Sequence, residues 1–254
     1  MRIGVMNNPS LGLLEELEWI SNNNFDFVDL TLEPPEAYEF NTRKVSEKLK
    51  KLGLEAIGHT NPFLPAIHPL KSIREACLKE FEIYVKTFRK MGISLMNIHP
   101  YDYGPIMNEE DRVEANIELL KKVHSLCVKS NITLMLENGK PIDDPRKFQI
   151  VLDRIPEVMV HLDIGHANLA PKNLTESFFK QFKKKIVHIH ISDNKGDMDD
   201  HLPLGCGNID WRKTVRLMKS EGYDGTVTLE IFSREKEYVL SSRRIFEELW
   251  RKER

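Results

Sequence analysis

Eight short apolar runs recur along the chain, each separated from the next by a longer stretch with helical periodicity. No other feature restricts the fold as much. The runs are Arg2–Met6, Phe27–Leu32, Leu54–His59, Leu95–His99, Ile132–Glu137, Val158–Asp163, Ile186–Ser192 and Thr226–Ile231. Their length and β-branched content suit strands of a parallel sheet buried on both faces. The intervening patterns predict helices over Leu11–Ser21, Thr42–Leu52, Ser72–Met91, Glu109–Ser130, Pro145–Leu152, Leu174–Lys184, Trp211–Glu221 and Glu237–Lys252. Gly53, Gly92 and Gly222 stand where helix stops belong. Eight such pairs in 254 residues predict one α/β domain spanning 1–254, a (β/α)8 TIM barrel. An open doubly wound sheet would need a Gly-rich phosphate loop after its first strand, and MNNPS is not one.

Composition narrows the functional classes. The 37 basic and 39 acidic residues leave a net charge of -2, so no global positive field marks a nucleic-acid partner. No apolar run approaches the roughly 18 residues of a membrane span. Cys77, Cys127 and Cys206 are widely spaced, odd in number and form no CxxC pair, which predicts free thiols in a reducing compartment. The opening MRIGVMNN lacks the apolar centre of a signal peptide, so a cytoplasmic location is expected.

Strand parity then sorts the side chains, because alternate residues of a strand point to opposite faces. In the seventh run Val187, Ile189 and Ile191 share one face, and His188, His190 and Ser192 the other. The same division sets Met159, His161 and Asp163 apart in the sixth, Thr133, Met135 and Glu137 in the fifth, and Thr226, Thr228 and Glu230 in the eighth. The more apolar face packs against helices and the other looks into the barrel. His59, His99, Glu137, Asp163, His190 and Glu230 therefore converge at the C-terminal strand ends, where barrel enzymes keep their chemistry. A lone inward histidine is commonly a hydrogen-bonded core residue, and the deeper His161 and His188 are read that way. Six ionisable groups on one ring are different, since burying unpaired carboxylates without a cation costs several kcal/mol each. HLDIGH brings His166 to the same mouth. The segment DNKGDMDDHLPLGCG after the seventh run carries Asp199 and His201 there on a loop.

These motifs, GHT, NIHP, LEN, LDIGHA, HISD, DDHLPLGCG and LEI, resemble in order and placement the xylose-isomerase-like TIM-barrel superfamily, over nearly the whole chain from IGVM to LEIF. That group holds sugar and sugar-phosphate isomerases and epimerases, and endonuclease IV. The isomerase branch implies one divalent metal on Glu137, Asp163, His190 and Glu230. The nuclease branch implies three zinc ions, with His59, His99 and Glu137 on one, the previous four residues on the second, and His166, Asp199 and His201 on the third. HLPLGCGNIDW and the short MNNPS loop are similar to the isomerase form, whereas LENGKPIDD and LDIGHANLAP fit the nuclease signatures poorly. Cys206 departs from the Glu often found between the two glycines.

The expected activity is a proton transfer next to the carbonyl of a small sugar or sugar phosphate, through an enediolate, with Glu137 and Glu230 as the acid/base pair. Glu33, at the end of the second run, is expected either to hydrogen-bond sugar hydroxyls or to cap a helix before Pro34. Mn²⁺, Mg²⁺, Co²⁺ or Zn²⁺ all suit the mixed oxygen and imidazole donors, in one to three ions. The competing activity is zinc-dependent hydrolysis of abasic DNA. Its basic grip is weakly represented, since Lys183–Lys185 and the basic C-terminus lie on helices away from the mouth. The intact acid pair argues against a metal-bearing barrel without catalysis. A homodimer is compatible with the chain.

Overall fold

The computed structural model describes residues 1–169, 171 and 173–253. Its elements run β1 (Arg2–Met6), α1 (Leu13–Asn22), β2 (Phe27–Thr31), α2 (Thr42–Leu52), β3 (Glu55–His59), α3 (Lys71–Met91), β4 (Leu95–Ile98), α4 (Glu109–Val128), β5 (Thr133–Glu137), α5 (Pro145–Arg154), β6 (Met159–Asp163), α6 (Ile164–Asn168), α7 (Thr175–Phe182), β7 (Ile186–Ile191), α8 (Trp211–Ser220), β8 (Thr226–Leu229) and α9 (Glu237–Lys252). The strands pair in sequence order, all parallel, and β8 returns to β1 to close the barrel. The (β/α)8 architecture expected from the alternation is thus present, with strand bounds within two residues of those read from the runs.

One element was not expected. The five residues Ile164–Asn168 form α6 directly at the exit of β6, because the Asp163 carboxylate caps it by accepting from the His166 amide at 2.7 Å. One strand also departs from simple parity. The β6–β7 register slips between Val160 and His161, so Val160 faces Ile186 while His161 faces His188. Val187 is the extra residue. It packs with Phe27, Ile57 and Met135 and not on the outward face with Ile189 and Ile191, as alternation alone predicts.

The barrel interior is graded from bottom to top. Phe27, Ile57 and Met135 fill the floor, with Leu95, Met159 and Val187 against them. Phe27 fits there because its neighbour on β1 is Gly4, where an added Cβ would lie 2.3 Å from the Phe27 ring. Above this layer come Asp29, Asn97, His161, His188 and Thr228, all buried polar side chains. The open end carries the ionisable ring. Outside the barrel, the buried faces of the helices pack with the outward strand residues in one continuous apolar core. Among the described residues no helix is long and apolar enough to cross a membrane. Cys77, Cys127 and Cys206 are free thiols, the last exposed.

Candidate functional site

The ring forms as parity requires. His59 closes β3, Glu137 closes β5, Asp163 closes β6, and His99 and Glu230 follow the last residues of β4 and β8. All are buried. Donor atoms of His59, His99 and Glu137 lie within 4.8 Å of one another, and so do those of Glu137, Asp163 and His190. Glu137 therefore belongs to both groups. Its Oε2 is 3.1 Å from His99 Nε2, and its Oε1 is 3.3 Å from His166 Nδ1. His190 Nδ1 lies 2.9 Å from Glu230 Oε2 and 3.9 Å from Asp163 Oδ2, which brings Glu230 to the second group. Asn97, inward on β4, holds the first group by donating to Glu137 Oε2 at 3.0 Å. Asn138 joins the exits of β5 and β6, donating to the Asp163 carbonyl at 2.9 Å and accepting from its amide at 2.6 Å.

His166, Asp199 and His201 meet beside this ring. Asp199 Oδ2 lies 3.0 Å from Nε2 of each histidine. The loop that delivers Asp199 and His201 is pinned by Asp193, the residue after Ser192 at the end of the seventh run. The Asp193 carboxylate accepts from the Gly205 amide at 2.8 Å, the Ile209 amide at 3.3 Å and the Trp211 indole at 3.0 Å. Its backbone pairs with Leu202 in both directions. Position 207 must be glycine, since a Cβ there would sit 2.2 Å from both the Asn194 carbonyl and the Asp193 carboxylate. His201 itself is held at φ 46, a left-handed conformation that a non-glycine residue adopts only where its surroundings over-determine it. Its ring stacks on Phe232 at 4.1 Å. Asp193→Ala is expected to lower stability by on the order of 3 kcal/mol, because four donors, the Asn194 amide included, lose their acceptor in a largely buried setting. It should also open residues 195–209 to proteolysis. An unchanged denaturation midpoint and cleavage pattern would show that the loop holds without Asp193.

The electrostatics favour a bound cation. Burial, opposed by His166 and seconded by Glu230, Glu137 and Asp199, pushes the Asp163 carboxyl up to about 7. Its Oδ2 is buried without a hydrogen-bond partner, as is His99 Nδ1. Burial also opposes ionisation of Glu137, but His161 and His99 outweigh it and hold that carboxyl well below the usual range. His201 is raised to about 9, burial being overcome by Glu230 and Asp199. An orphaned carboxylate oxygen inside a ring of acids and imidazoles is what a divalent ion with mixed oxygen and nitrogen ligands satisfies. The residues present therefore fit such an ion.

Every site residue expected from the sequence except Glu33 falls in this constellation. Glu33 lies two residues beyond β2, half-buried, and accepts from the Thr31 hydroxyl at 2.7 Å. No helix begins at Pro34, which removes the capping alternative. Sequence reasoning passed over Asp29. This carboxylate sits in the middle of β2, is 1% exposed, and receives His190 Nε2 at 2.6 Å, His188 Nε2 at 3.0 Å and the Thr228 hydroxyl at 3.0 Å. An acid inside an otherwise apolar run was the available signal. Seven of the nine histidines, His59, His99, His161, His166, His188, His190 and His201, lie in the interior or at its mouth.

Comparison with known proteins bears on this arrangement. The family model "Xylose isomerase-like TIM barrel" matches residues 17–250. Uncharacterized protein MJ1311 of Methanocaldococcus jannaschii is 24% identical over 252 residues, covering 91% of this chain and 83% of that protein. L-ribulose-5-phosphate 3-epimerase UlaE of Salmonella typhimurium is 24% identical over 238 residues, covering 87% and 82%. A probable endonuclease 4 of Thermotoga petrophila is 23% identical over 193 residues, covering 66% of each. Among solved structures, a D-tagatose 3-epimerase-like protein superposes with a TM-score of 0.88 at 22% identity, covering 99% of this chain and 97% of that one. Identity at that level carries the backbone arrangement alone. The family model spans the barrel from within α1 to within α9, and the chain belongs to the xylose isomerase-like TIM barrel family.

Proposed function

We propose that the chain is a divalent-metal-dependent epimerase or isomerase of a small sugar or sugar phosphate. The observation that carries this reading is the pair Glu137 and Glu230, two buried carboxylates on β5 and beyond β8 that meet Asp163 and His190 from different sides of the ring. The names of UlaE and of the D-tagatose 3-epimerase-like protein support it. Glu137, Asp163, His190 and Glu230 would hold the ion. Mn²⁺, Mg²⁺, Co²⁺ and Zn²⁺ all suit those donors. When bound, it would polarise the substrate carbonyl and stabilise the oxyanion that forms as the proton leaves.

The chain supplies the rest. One of the two glutamates removes the proton from the carbon beside the carbonyl, giving an enediolate. The other returns a proton, to the opposite face in an epimerisation or to the neighbouring carbon in an isomerisation. Asn97 and His99 hold Glu137 in place. Glu33 reaches sugar hydroxyls from beyond β2. Asp199 and His201, beside the ring, form a lid contact or grip a substrate hydroxyl.

A second reading rests on the third group. His166, Asp199 and His201 are assembled as well, which completes nine candidate ligands and keeps hydrolysis of abasic DNA by three zinc ions as the alternative. One experiment separates the two. The protein, purified without chelator, is analysed for metal and offered a panel of ketoses, aldoses and their phosphates in D2O, and separately an abasic-site duplex. We expect deuterium to enter one sugar beside its carbonyl, read by NMR, as product forms. Nicking of the duplex at stoichiometric enzyme without sugar turnover would reverse the assignment.

A further inference from the structure

Two of the candidate ligands, His190 and His59, reach down to a single carboxylate, Asp29, that belongs to none of the ligand groups implied by the resemblance. An ionised carboxylate only accepts hydrogen bonds. His190 Nε2, 2.6 Å from Asp29 Oδ2, must therefore carry a proton. The ring then has one nitrogen left, Nδ1, and this is the atom that faces Glu230 Oε2 at 2.9 Å and Asp163 Oδ2 at 3.9 Å. His188 is fixed by the same oxygen: its Nε2 donates to Asp29 at 3.0 Å, and its Nδ1 accepts from the Thr226 hydroxyl at 2.7 Å. The Thr228 hydroxyl makes a third donation at 3.0 Å. Asp29 Oδ1 is left without a hydrogen-bond partner and looks toward His59 Nδ1 at 3.6 Å. The carboxylate is thus aimed and held from β7 and β8, and its own strand lies across the barrel from Glu137.

We propose that Asp29 is a positioning residue that fixes the tautomer and orientation of His190, so that Nδ1 is the atom presented to the cation. The inference rests on the metal-binding reading above. It deepens that reading by assigning a carboxylate–imidazole–cation relay, in which the buried negative charge also makes the imidazole a stronger donor. Asn at this position would keep one acceptor oxygen but would present its own N–H₂ to groups that are themselves donors.

The test is made on the full chain, in two arms. Wild-type protein labelled with ¹⁵N at histidine and loaded with Zn²⁺ is expected to show His190 with Nε2 protonated and Nδ1 metal-bound. The affinity of Asp29→Asn for Zn²⁺ and Mn²⁺, measured by competition with a chelator, is expected to fall about 10–100-fold. Its far-UV circular dichroism should stay that of the wild type. Wild-type His190 bound through Nε2, or with Nε2 unprotonated, would overturn the inference even if the variant does not fold. So would a folded variant with affinity within twofold of the wild type. Failure of the wild type to bind either metal is a separate outcome, and it would remove the underlying reading along with the relay.

Discussion

Glu137→Gln and Glu230→Gln are each expected to slow sugar turnover by about 10²–10⁴-fold, the usual contribution of a positioned general acid or base. Glutamine keeps the volume and one acceptor oxygen, so substrate affinity should change much less than turnover. In the proposed mechanism the two positions act in one proton relay, so the double variant should fall little below the slower single one. Metal content must be measured on each variant, because both carboxylates are also candidate ligands. Solvent exchange divides their roles. The variant that has lost the base should fail to exchange the substrate's carbon-bound proton with D2O at all. The variant that has lost only the acid should still exchange it without forming product. Near-normal turnover in both metal-replete variants would remove these residues as proton carriers.

Exhaustive chelation is expected to abolish turnover and to destabilise the folded chain, with both recovered on adding back a divalent ion. An ion present at a hundred times its Kd stabilises the native state by about 2.7 kcal/mol. For a chain of this size that corresponds to a melting temperature higher by roughly 5–10 °C. The physical origin lies in the ring itself. Without a counter-charge the unpartnered Asp163 oxygen sits buried among Glu137, Glu230 and Asp199, and the folded state pays for keeping them together. Calorimetry of chelated and reloaded protein reads the difference directly. Equal melting temperature and equal turnover before and after chelation would leave no role for a metal.

The barrel was legible because its period is carried by the chain at every repeat: apolar strand, amphipathic helix, turn. The ring was legible because alternation along a strand is nearly independent of tertiary context. His190 and Asp163 could be assigned inward from their neighbours alone. What escaped depended on relations between distant segments. Asp29 reads locally as one polar residue in a buried run; its meaning comes from His188, His190 and Thr228, 159 to 199 residues away. Val187 was misplaced because a slip between two strands is a property of the pair and not of either sequence. The short helix after β6 was missed for a different reason. In HLDIGH Asp163 and His166 stand out as ring residues, and the three-residue spacing that brings both to the mouth also lets Asp163 cap the turn on which His166 rides.

Phe27, Ile57 and Met135, with Leu95, Met159 and Val187 packed against them, fill the barrel below the ionisable ring. In the proposed reaction, ions, water and substrate would reach the ring from the C-terminal strand ends, beside the segment bearing Asp199 and His201. A proton lifted from a substrate carbon in that reaction would meet packed apolar side chains on the side away from the rim. Whether that proton is handed back or exchanged would then be decided at the rim, and isotope retention would read how well bound substrate is screened from solvent there.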